Sequence, residues 1–276
     1  MSIITLTSDF GLKDYFVGSL KGKIYSEYAE AKLVDISHDI EPFQIIHTAY
    51  LLRAAHKDFP ANTVHLVCVD AEKSVQTNHV VVRWHDQYFV GADNGIFSIL
   101  THLDAPDEIF NINIHDRFAA DANDLDILKT VAIHLAKGGK PSVIGKSINA
   151  LKDIKAPEPI VLENGKVIKG TLIYIDQLGN LVFNINKKMF VDIGNGRAYE
   201  IKVEENVKIK TIYPTYSAYI HSDNFDVKFN EGRIVAIFND AEYLEIGLFR
   251  SNPKLTGSAK SLLGLGYKSQ IEIIFL

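Results

Sequence analysis

The chain has 276 residues, a formal net charge of -5 and a hydrophobic fraction of 47%. A chain of this length and composition can bury the core of one large domain or of two medium-sized domains. Its basic residues are scattered along the sequence and do not cluster, so the charge pattern disfavours nucleic acid as a partner.

The single cysteine, Cys68, lies in the apolar run VHLVCVD, which predicts a small buried residue rather than a reactive thiol. One cysteine cannot form a disulfide within the chain. The N-terminal segment MSIITLTSDF lacks a basic start, and no segment reaches the roughly 18 apolar residues of a membrane span. We therefore expect a cytoplasmic protein that makes no contact with a membrane.

Strand-like and helix-like segments alternate in the first half. A β-branched run from Ser2 to Ser8 predicts a strand that ends at Asp9, and apolar residues at helical spacing follow Asp14, the predicted N-cap. The alternation continues with a strand at Lys32–Ser37, a helix at Ile45–Ala55 and a strand at Asn62–Asp70. This pattern predicts an α/β domain with a mostly parallel sheet.

The runs HVVVRWH and QYFVGADNG predict a hairpin, and Leu125–Gly139 predicts an amphipathic helix that closes the domain. Prolines and charges then indicate a connection between domains. Short β-rich runs dominate afterwards, which is typical of a small β-barrel. We predict an N-terminal α/β domain at 1–150, a linker at 151–167 and a C-terminal barrel-like domain at 168–276.

Acidic residues lie near the ends of the predicted strands, where open α/β sheets bind their ligands. Asp9, Asp35 and Asp70 occupy such positions. An aspartate at a strand end can accept both hydroxyl groups of a ribose, and Gly11 would permit close approach of the backbone. The alternative, that Asp9 only caps a turn, stays open at this point.

Two short motifs suggest other chemistry but lack their usual context. Residues 9–11 read DFG, without the other kinase motifs. The pairs His38-Asp39 and His115-Asp116 are not accompanied by HExxH or by Cys/His spacing. We therefore expect no metal and no other cofactor.

Polar residues in the second domain mark two predicted turns. Asp176, Gly179 and Asn180 lie between two strand-like runs, and Asn239 and Asp240 precede another. In isolation, ordinary turns explain both groups.

Taken together, six segments resemble in order and spacing the S-adenosylmethionine hydroxide adenosyltransferases, the family that also contains the adenosyl fluorinase and chlorinase. Each motif alone is weak, but six in order across nearly the whole chain exceed what chance provides. The matching segments are Thr5–Gly22, Leu33–Leu52, Phe59–Asp70, Gly91–Phe97, Gly170–Ile185 and Tyr243–Gly247.

The resemblance implies a homotrimer whose ligand sites lie between the N-terminal domain of one subunit and the C-terminal domain of its neighbour. It implies that water attacks the ribose C5′ of S-adenosylmethionine and that adenosine and L-methionine are released. Because a sulfonium is a good leaving group, catalysis requires mainly an oriented water in a dry pocket. No metal or redox cofactor is implied.

The resemblance also implies binding roles. Asp9 matches the acid that holds the ribose hydroxyls, and Asp14 matches the acid that lies near the methionine end of the ligand. The partner subunit's Asp176 and Asn180 would approach the methionine amine and the adenine edge. The remaining residues implied to bind substrate are Asp93, Asn94, Asn239, Asp240 and Tyr243.

The water-ordering groups depart from the family pattern of an Asp, an Arg and a His. Asp70 matches the Asp, but Thr77 or Asn78 falls at the Arg position and Asn123 at the His position. Asn123 or Asp124 also fits locally as a helix N-cap. His79 and His115 are close enough in sequence to replace the imidazole.

The resemblance therefore predicts a hydrolase that acts on S-adenosylmethionine, with Asp70, Thr77 and Asn123 as the candidate catalytic residues. The alternative is a protein of the same fold that binds the ligand without turnover. Halide transfer is disfavoured because the Asp70 carboxylate would repel the anion.

Overall fold

A computed structural model of the chain describes residues 3–204, 207–220 and 226–276. The chain divides into two compact units, of which the first ends at Ala156 and the second begins at Pro157. Among the described residues, no helix combines the length and the hydrophobicity of a membrane span.

The first unit alternates strands and helices, as the sequence pattern predicts. Its strands are β1 (Ile3–Ser8), β2 (Lys32–Ser37), β3 (Val64–Cys68), β4 (His79–Trp84), β5 (Gln87–Ala92), β6 (Glu108–Ile112) and β7 (Gly145–Ile148). Its helices are α1 (Phe16–Glu27), α2 (Ile45–Ala55), α3 (Ile96–Leu100) and α4 (Asp124–Ala136). Ser2, the predicted first residue of β1, lies outside the described residues.

Within the described residues, seven strands form one sheet in the order β2-β1-β3-β5-β4-β6-β7. β1 pairs in parallel with β2 and β3, and β3 pairs in parallel with β5. The pairs β4-β5, β4-β6 and β6-β7 are antiparallel. The carboxyl ends of β1, β2, β3, β5 and β6 and the amino end of β4 therefore share one edge of the sheet.

Helices cover both faces of this sheet, so its central strands are apolar on both sides. In β4, Val81 joins the core that contains residues of α1 and α4, whereas Val80 and Val82 join the core that contains residues of α2 and α3. This alternation follows from the two-residue period of a strand. The predicted α/β fold of the first domain is confirmed.

Two helix N-termini differ in how they are capped. The prediction that Asp14 caps α1 is wrong, since α1 begins at Phe16 with Tyr15 as its N-cap and no side-chain cap bond. Tyr15 stacks on Phe16 with 4.5 Å between ring centroids. Asn123 does cap α4, in a capping box with Asp126.

The second unit consists mainly of β-strands, as the short β-rich runs predict. Its strands are β8 (Ile160–Leu162), β9 (Val167–Ile175), β10 (Leu181–Asn186), β11 (Tyr199–Glu204), β12 (Val207–Ile209), β13 (Ile212–Tyr213), β14 (Ile234–Phe238), β15 (Tyr243–Leu248) and β16 (Gln270–Phe275). Its short helices are α5 (Lys187–Gly194), α6 (Tyr216–Tyr219), α7 (Val227–Asn230) and α8 (Ala259–Leu263).

In the part of the chain that the structure describes, these nine strands form one nearly closed sheet around an apolar core. The main path runs β12-β11-β16-β9-β10-β15-β14-β13, and β8 pairs with β9. β8 falls inside the stretch predicted as a linker. The predicted barrel-like character of the second domain is confirmed.

Two buried histidines make the first unit sensitive to acid. The His65 ring stacks on Phe89 at 4.4 Å between centroids, and its Nε2 lies 3.2 Å from Gln87 Oε1. His56 packs against Trp84 at 4.5 Å. Burial lowers the pKa of His56 and of His65 to about 4.

The free energy of unfolding should therefore fall as the pH decreases from about 6.5 to about 4. Above the ordinary histidine pKa both states are neutral, whereas below it the unfolded chain binds protons that the folded unit excludes. The loss is at most about 3 kcal/mol for each histidine. Urea denaturation at several pH values measures it, and His65→Gln should reduce the slope. An identical slope in that variant would contradict the conclusion that the buried His65 contributes to the acid sensitivity.

Candidate active site

Polar residues gather at the shared edge of the first sheet. Asp9 follows β1, His38 follows β2, Asp70 follows β3 by two residues, and Asp93 and Asn94 follow β5. These strands are parallel to one another. The fold thus brings to one edge the acids that the sequence places at strand ends, where open α/β sheets bind ligands.

The turn after β1 is fixed to the end of β2. Gly11, at φ 68°, donates its N–H to the carbonyl of His38 at 2.7 Å, and Ser8 Oγ lies 2.6 Å from His38 Nδ1. The half-buried Asp9 carboxylate accepts the N–H of Phe43 on Oδ2 at 3.3 Å. Asp9 is therefore held at the edge, with part of its side chain open to solvent.

Asp35 and Asp14 occupy different surroundings. Asp35 lies within β2 rather than beyond its end, and its carboxylate pairs with Lys21 at 2.6 Å. His38 Nε2 lies 3.1 Å from the same carboxylate. Asp14 is exposed in the loop before α1. Asp35 thus ties β2 to α1 and to His38.

Asn94 shapes the turn that carries Asp70. Asp70 is exposed and has φ 46°, a left-handed conformation that costs energy in a residue with a Cβ. The buried Asn94 amide donates to the carbonyls of Val69 at 3.0 Å and Asp70 at 2.9 Å, and its oxygen accepts the Ile96 N–H. These three bonds hold the turn, so Asn94 positions Asp70.

Asp93 holds a neighbouring segment of the chain. Its two carboxylate oxygens lie 2.9 and 3.1 Å from the backbone nitrogen of Lys152, which donates to them. Its own N–H donates to the carbonyl of Asn78 at 2.7 Å. Burial raises the pKa of the Asp93 carboxyl, and the hydrogen bond from the Lys152 backbone and the Lys152 charge oppose the shift.

Two histidines meet beside the loop that follows Asp70. His79 is fully buried, and its Nε2 lies 2.9 Å from the carbonyl oxygen of Ala71. Its Nδ1 lies 3.1 Å from Nε2 of the half-buried His115. Because a carbonyl only accepts, His79 carries its proton on Nε2 and presents a lone pair on Nδ1, to which His115 donates.

Asp124 completes a cluster with these two rings. Its Oδ1 lies 3.8 Å from His79 Nε2, and its Oδ2 accepts the N–H of Lys73 at 2.9 Å. Burial lowers the pKa of both His79 and His115, so both rings are neutral near pH 7. The sequence drew attention to both histidines, but Asp124 was missed because helix capping explained its position.

Thr77 and Asn123, at the family's Arg and His positions, have local roles. The carbonyl of Thr77 accepts the N–H of Ser74 at 2.9 Å within the loop. The Asn123 side chain accepts the N–H of Asp126 at 3.0 Å as the cap of α4. Their catalytic roles stay predictions.

In the second unit, Asp176 and Asn180 form a self-contained turn. Asp176 Oδ1 accepts the N–H groups of Leu178 and Asn180 at 2.9 and 2.8 Å, and its Oδ2 accepts the Asn180 side-chain amide at 2.9 Å. Gly179 is required because its φ is 74° and a Cβ would collide with Ser258. The turn places one buried amide beside one half-buried carboxylate.

A buried carboxylate that the sequence did not single out lies in β15 of the same unit. Glu245 accepts the Tyr216 hydroxyl at 2.9 Å and the Asn239 amide at 3.1 Å. Burial raises the pKa of Glu245, and hydrogen bonds from these two partners oppose the shift. Asn239 Oδ1 accepts the N–H of Tyr243 at 3.1 Å, and Asp240 is exposed beside it. Only the folded barrel distinguishes Glu245 from an ordinary strand residue.

Comparison with known proteins gives a consistent assignment for both units. The model of the S-adenosylmethionine hydroxide adenosyltransferase N-terminal domain matches residues 4–145. The model of the corresponding C-terminal domain matches residues 170–272.

Relatives resemble the chain over its full length. A protein of Methanocaldococcus jannaschii named (R)-S-adenosyl-L-methionine hydrolase is 28% identical and covers 100% of this chain and 97% of its own. A protein of the same name from Thermus thermophilus is 26% identical, with 96% of each chain covered.

A crystal structure of a conserved protein from Thermotoga maritima superposes with a TM-score of 0.81 at 26% identity, over 99% of this chain and 100% of the other. The sequence matches and the structural match therefore both extend across the two units. The chain belongs to the S-adenosylmethionine hydroxide adenosyltransferase family.

Proposed function

We propose that this protein hydrolyses S-adenosyl-L-methionine to adenosine and L-methionine. The observation that carries the proposal is the match of both family domains, in order, to nearly the whole chain. The relatives named (R)-S-adenosyl-L-methionine hydrolase extend over the same length. By analogy with their names, we assign the (R) configuration at sulfur to the substrate.

The proposed reaction is a displacement at the ribose C5′. Water supplies the oxygen of the new C5′–O bond, while the C5′–S bond breaks and its electron pair returns to sulfur. The sulfonium becomes the neutral thioether of methionine, and the water loses one proton. No electron is exchanged, so the reaction requires no oxidant or reductant.

We assign the ribose to Asp9. Its carboxylate lies at the carboxyl end of β1, is half-buried and is anchored by the Phe43 N–H. A carboxylate at such a strand end can accept both ribose hydroxyls. Gly11, two residues after Asp9, has a left-handed backbone conformation. Because it has no side chain, the ligand can approach its backbone closely.

We assign the attacking water to Asp70 and its surroundings. Asp70 is exposed at the same edge, and the three hydrogen bonds of Asn94 fix its turn. As a carboxylate, Asp70 can accept a hydrogen bond from the water and then its proton. His79 contacts the carbonyl of Ala71, the next residue, and pairs with His115; we propose that these imidazoles replace the Arg and the His that the resemblance implies.

The second unit supplies acceptors that suit a cationic ligand. S-adenosylmethionine carries a sulfonium and an ammonium group. Asp176 and Asp240 both lie near enough to Glu245 for their negative charges to raise its pKa. We propose that Asp176, Asn180, Asn239 and Tyr243 bind the ligand. The binding role of Asp14, the homotrimer with shared sites and the cytoplasmic location stay predictions.

The first prediction concerns the products. Purified protein incubated with the (R) epimer should release adenosine and methionine in equal amounts, and added chloride should give no 5′-chloroadenosine. Chromatography with mass detection identifies the products, and the (S) epimer serves as the comparison. Tight binding of unchanged substrate in calorimetry would instead favour a binding protein without turnover.

The second prediction concerns Asp70. Asp70→Asn should lower kcat by about 10²- to 10⁴-fold, because the amide cannot take the proton from water. Ligand affinity should change little. The matched control is Glu72→Gln, which removes an exposed carboxylate from the same loop and should leave kcat intact. Full activity of Asp70→Asn would refute its assignment.

The third prediction concerns Asp9. Asp9→Ala should weaken ligand binding by about 10- to 100-fold, because the ribose hydroxyls lose a charged acceptor. Asp39→Asn removes an exposed carboxylate near the end of the neighbouring strand and tests whether charge alone matters. Calorimetry measures both affinities. Equal loss in the two variants would argue against a direct contact by Asp9.

A further inference from the structure

Two imidazoles and one carboxylate converge beside the Asp70 loop. His79, His115 and Asp124 each offer one ligand atom, and these atoms all lie within 4.8 Å of one another. Two histidine nitrogens with a carboxylate oxygen form a donor set that Zn²⁺ uses in catalytic sites, with water as the fourth ligand. We propose that these three residues form a binding site for a divalent transition metal ion of the Zn²⁺ class.

The distances between the two rings suit a shared ion. His79 Nδ1 and His115 Nε2 lie 3.1 Å apart. Two ligands at about 2.0–2.1 Å from a tetrahedral zinc ion lie about 3.3 Å apart, so the pair already has nearly the required spacing. The Asp124 side chain is 29% exposed and offers the third ligand atom of the same cluster.

The surrounding contacts orient the ligands as metal sites require. The carbonyl of Ala71 accepts the Nε2 proton of His79 and thereby directs the Nδ1 lone pair towards His115. The Lys73 N–H holds one oxygen of Asp124 at 2.9 Å. Outer contacts of this kind, from a carbonyl to a ligating imidazole, fix its tautomer and orientation in metal sites.

Metal binding requires one proton to move. In the structure His115 donates its Nε2 proton to His79 Nδ1. The ion would take the lone pairs of both nitrogens, so that proton transfers to solvent while His115 Nδ1 takes up another. The net proton count of the neutral rings is unchanged, and the hydrogen bond is replaced by two metal–nitrogen bonds.

A role in catalysis follows from the position of the cluster, and this role rests on the proposed hydrolysis. Ala71, which bonds to His79, is the residue after Asp70. A bound zinc ion lowers the pKa of its water and holds that water in place. The ion would then be the means by which the two imidazoles hold the water beside Asp70, although the sequence resemblance implies no metal.

The test begins with metal binding, independent of substrate. Chelator-treated protein is titrated with Co²⁺, followed by its visible absorption bands, and with Zn²⁺ by calorimetry. We expect about one ion per chain and the intense bands of a tetrahedral site. His115→Gln and Asp124→Asn should each weaken binding at least about tenfold. Both residues are partly exposed, so these variants are preferred to changes at the fully buried His79.

The matched control is His102→Gln, which removes an exposed histidine from another part of the first unit. It should bind the ion as tightly as the unaltered protein, and thermal unfolding shows that each variant is folded. Failure of the unaltered protein to bind either ion would overturn the site. Undiminished binding in both His115→Gln and Asp124→Asn would also overturn it.

Product analysis then separates this inference from the proposed function. Hydrolysis that disappears with the chelator and returns with Zn²⁺ supports the catalytic role. Equal hydrolysis by the metal-free and the metal-loaded protein would contradict that role but leave the hydrolase proposal standing. Specific metal binding without any product would contradict the proposed function and support the site.

Discussion

Parallel pairing of β1 with β2 and β3 is the constraint on which the candidate site depends. Each of these strands is followed by a connection that starts at the same edge, so Asp9 and Asp70 lie on neighbouring strand ends although 61 positions separate them. Backbone hydrogen bonds within the sheet fix this proximity. The carboxylates are then oriented by local contacts, from Phe43 to Asp9 and from Asn94 to the Asp70 turn.

The antiparallel half of the sheet brings a second set of groups to that edge. His79 begins β4 opposite the end of β5, and His115 follows the end of β6. The N-terminus of α4 adds Asp124. The sequence resemblance places Thr77 and Asn123 where the family has an Arg and a His, and neither residue takes part in the contact that brings the two imidazoles together. Imidazoles therefore reach the Asp70 loop from different strand ends.

The sequence predicts the parts of this molecule that depend on local pattern. The strand ahead of Asp9, the β4–β5 hairpin and the Asn123 cap each follow from residues close together in the chain. The prediction of Asp14 as a cap is wrong, because α1 begins after Tyr15 and no side chain caps it. Long-range contacts could not be predicted: Asp124 reaches His79 only through sheet order, and Glu245 is distinguished only by burial within the barrel.

The central claim is that water attacks C5′ of S-adenosylmethionine at this site. Reaction in ¹⁸O-enriched water, followed by mass spectrometry of both products, tests it most directly. The account predicts one ¹⁸O atom in the 5′-hydroxyl group of adenosine and none in methionine. Unlabelled adenosine, or label in a homoserine product formed by attack on the methionine chain, would contradict it.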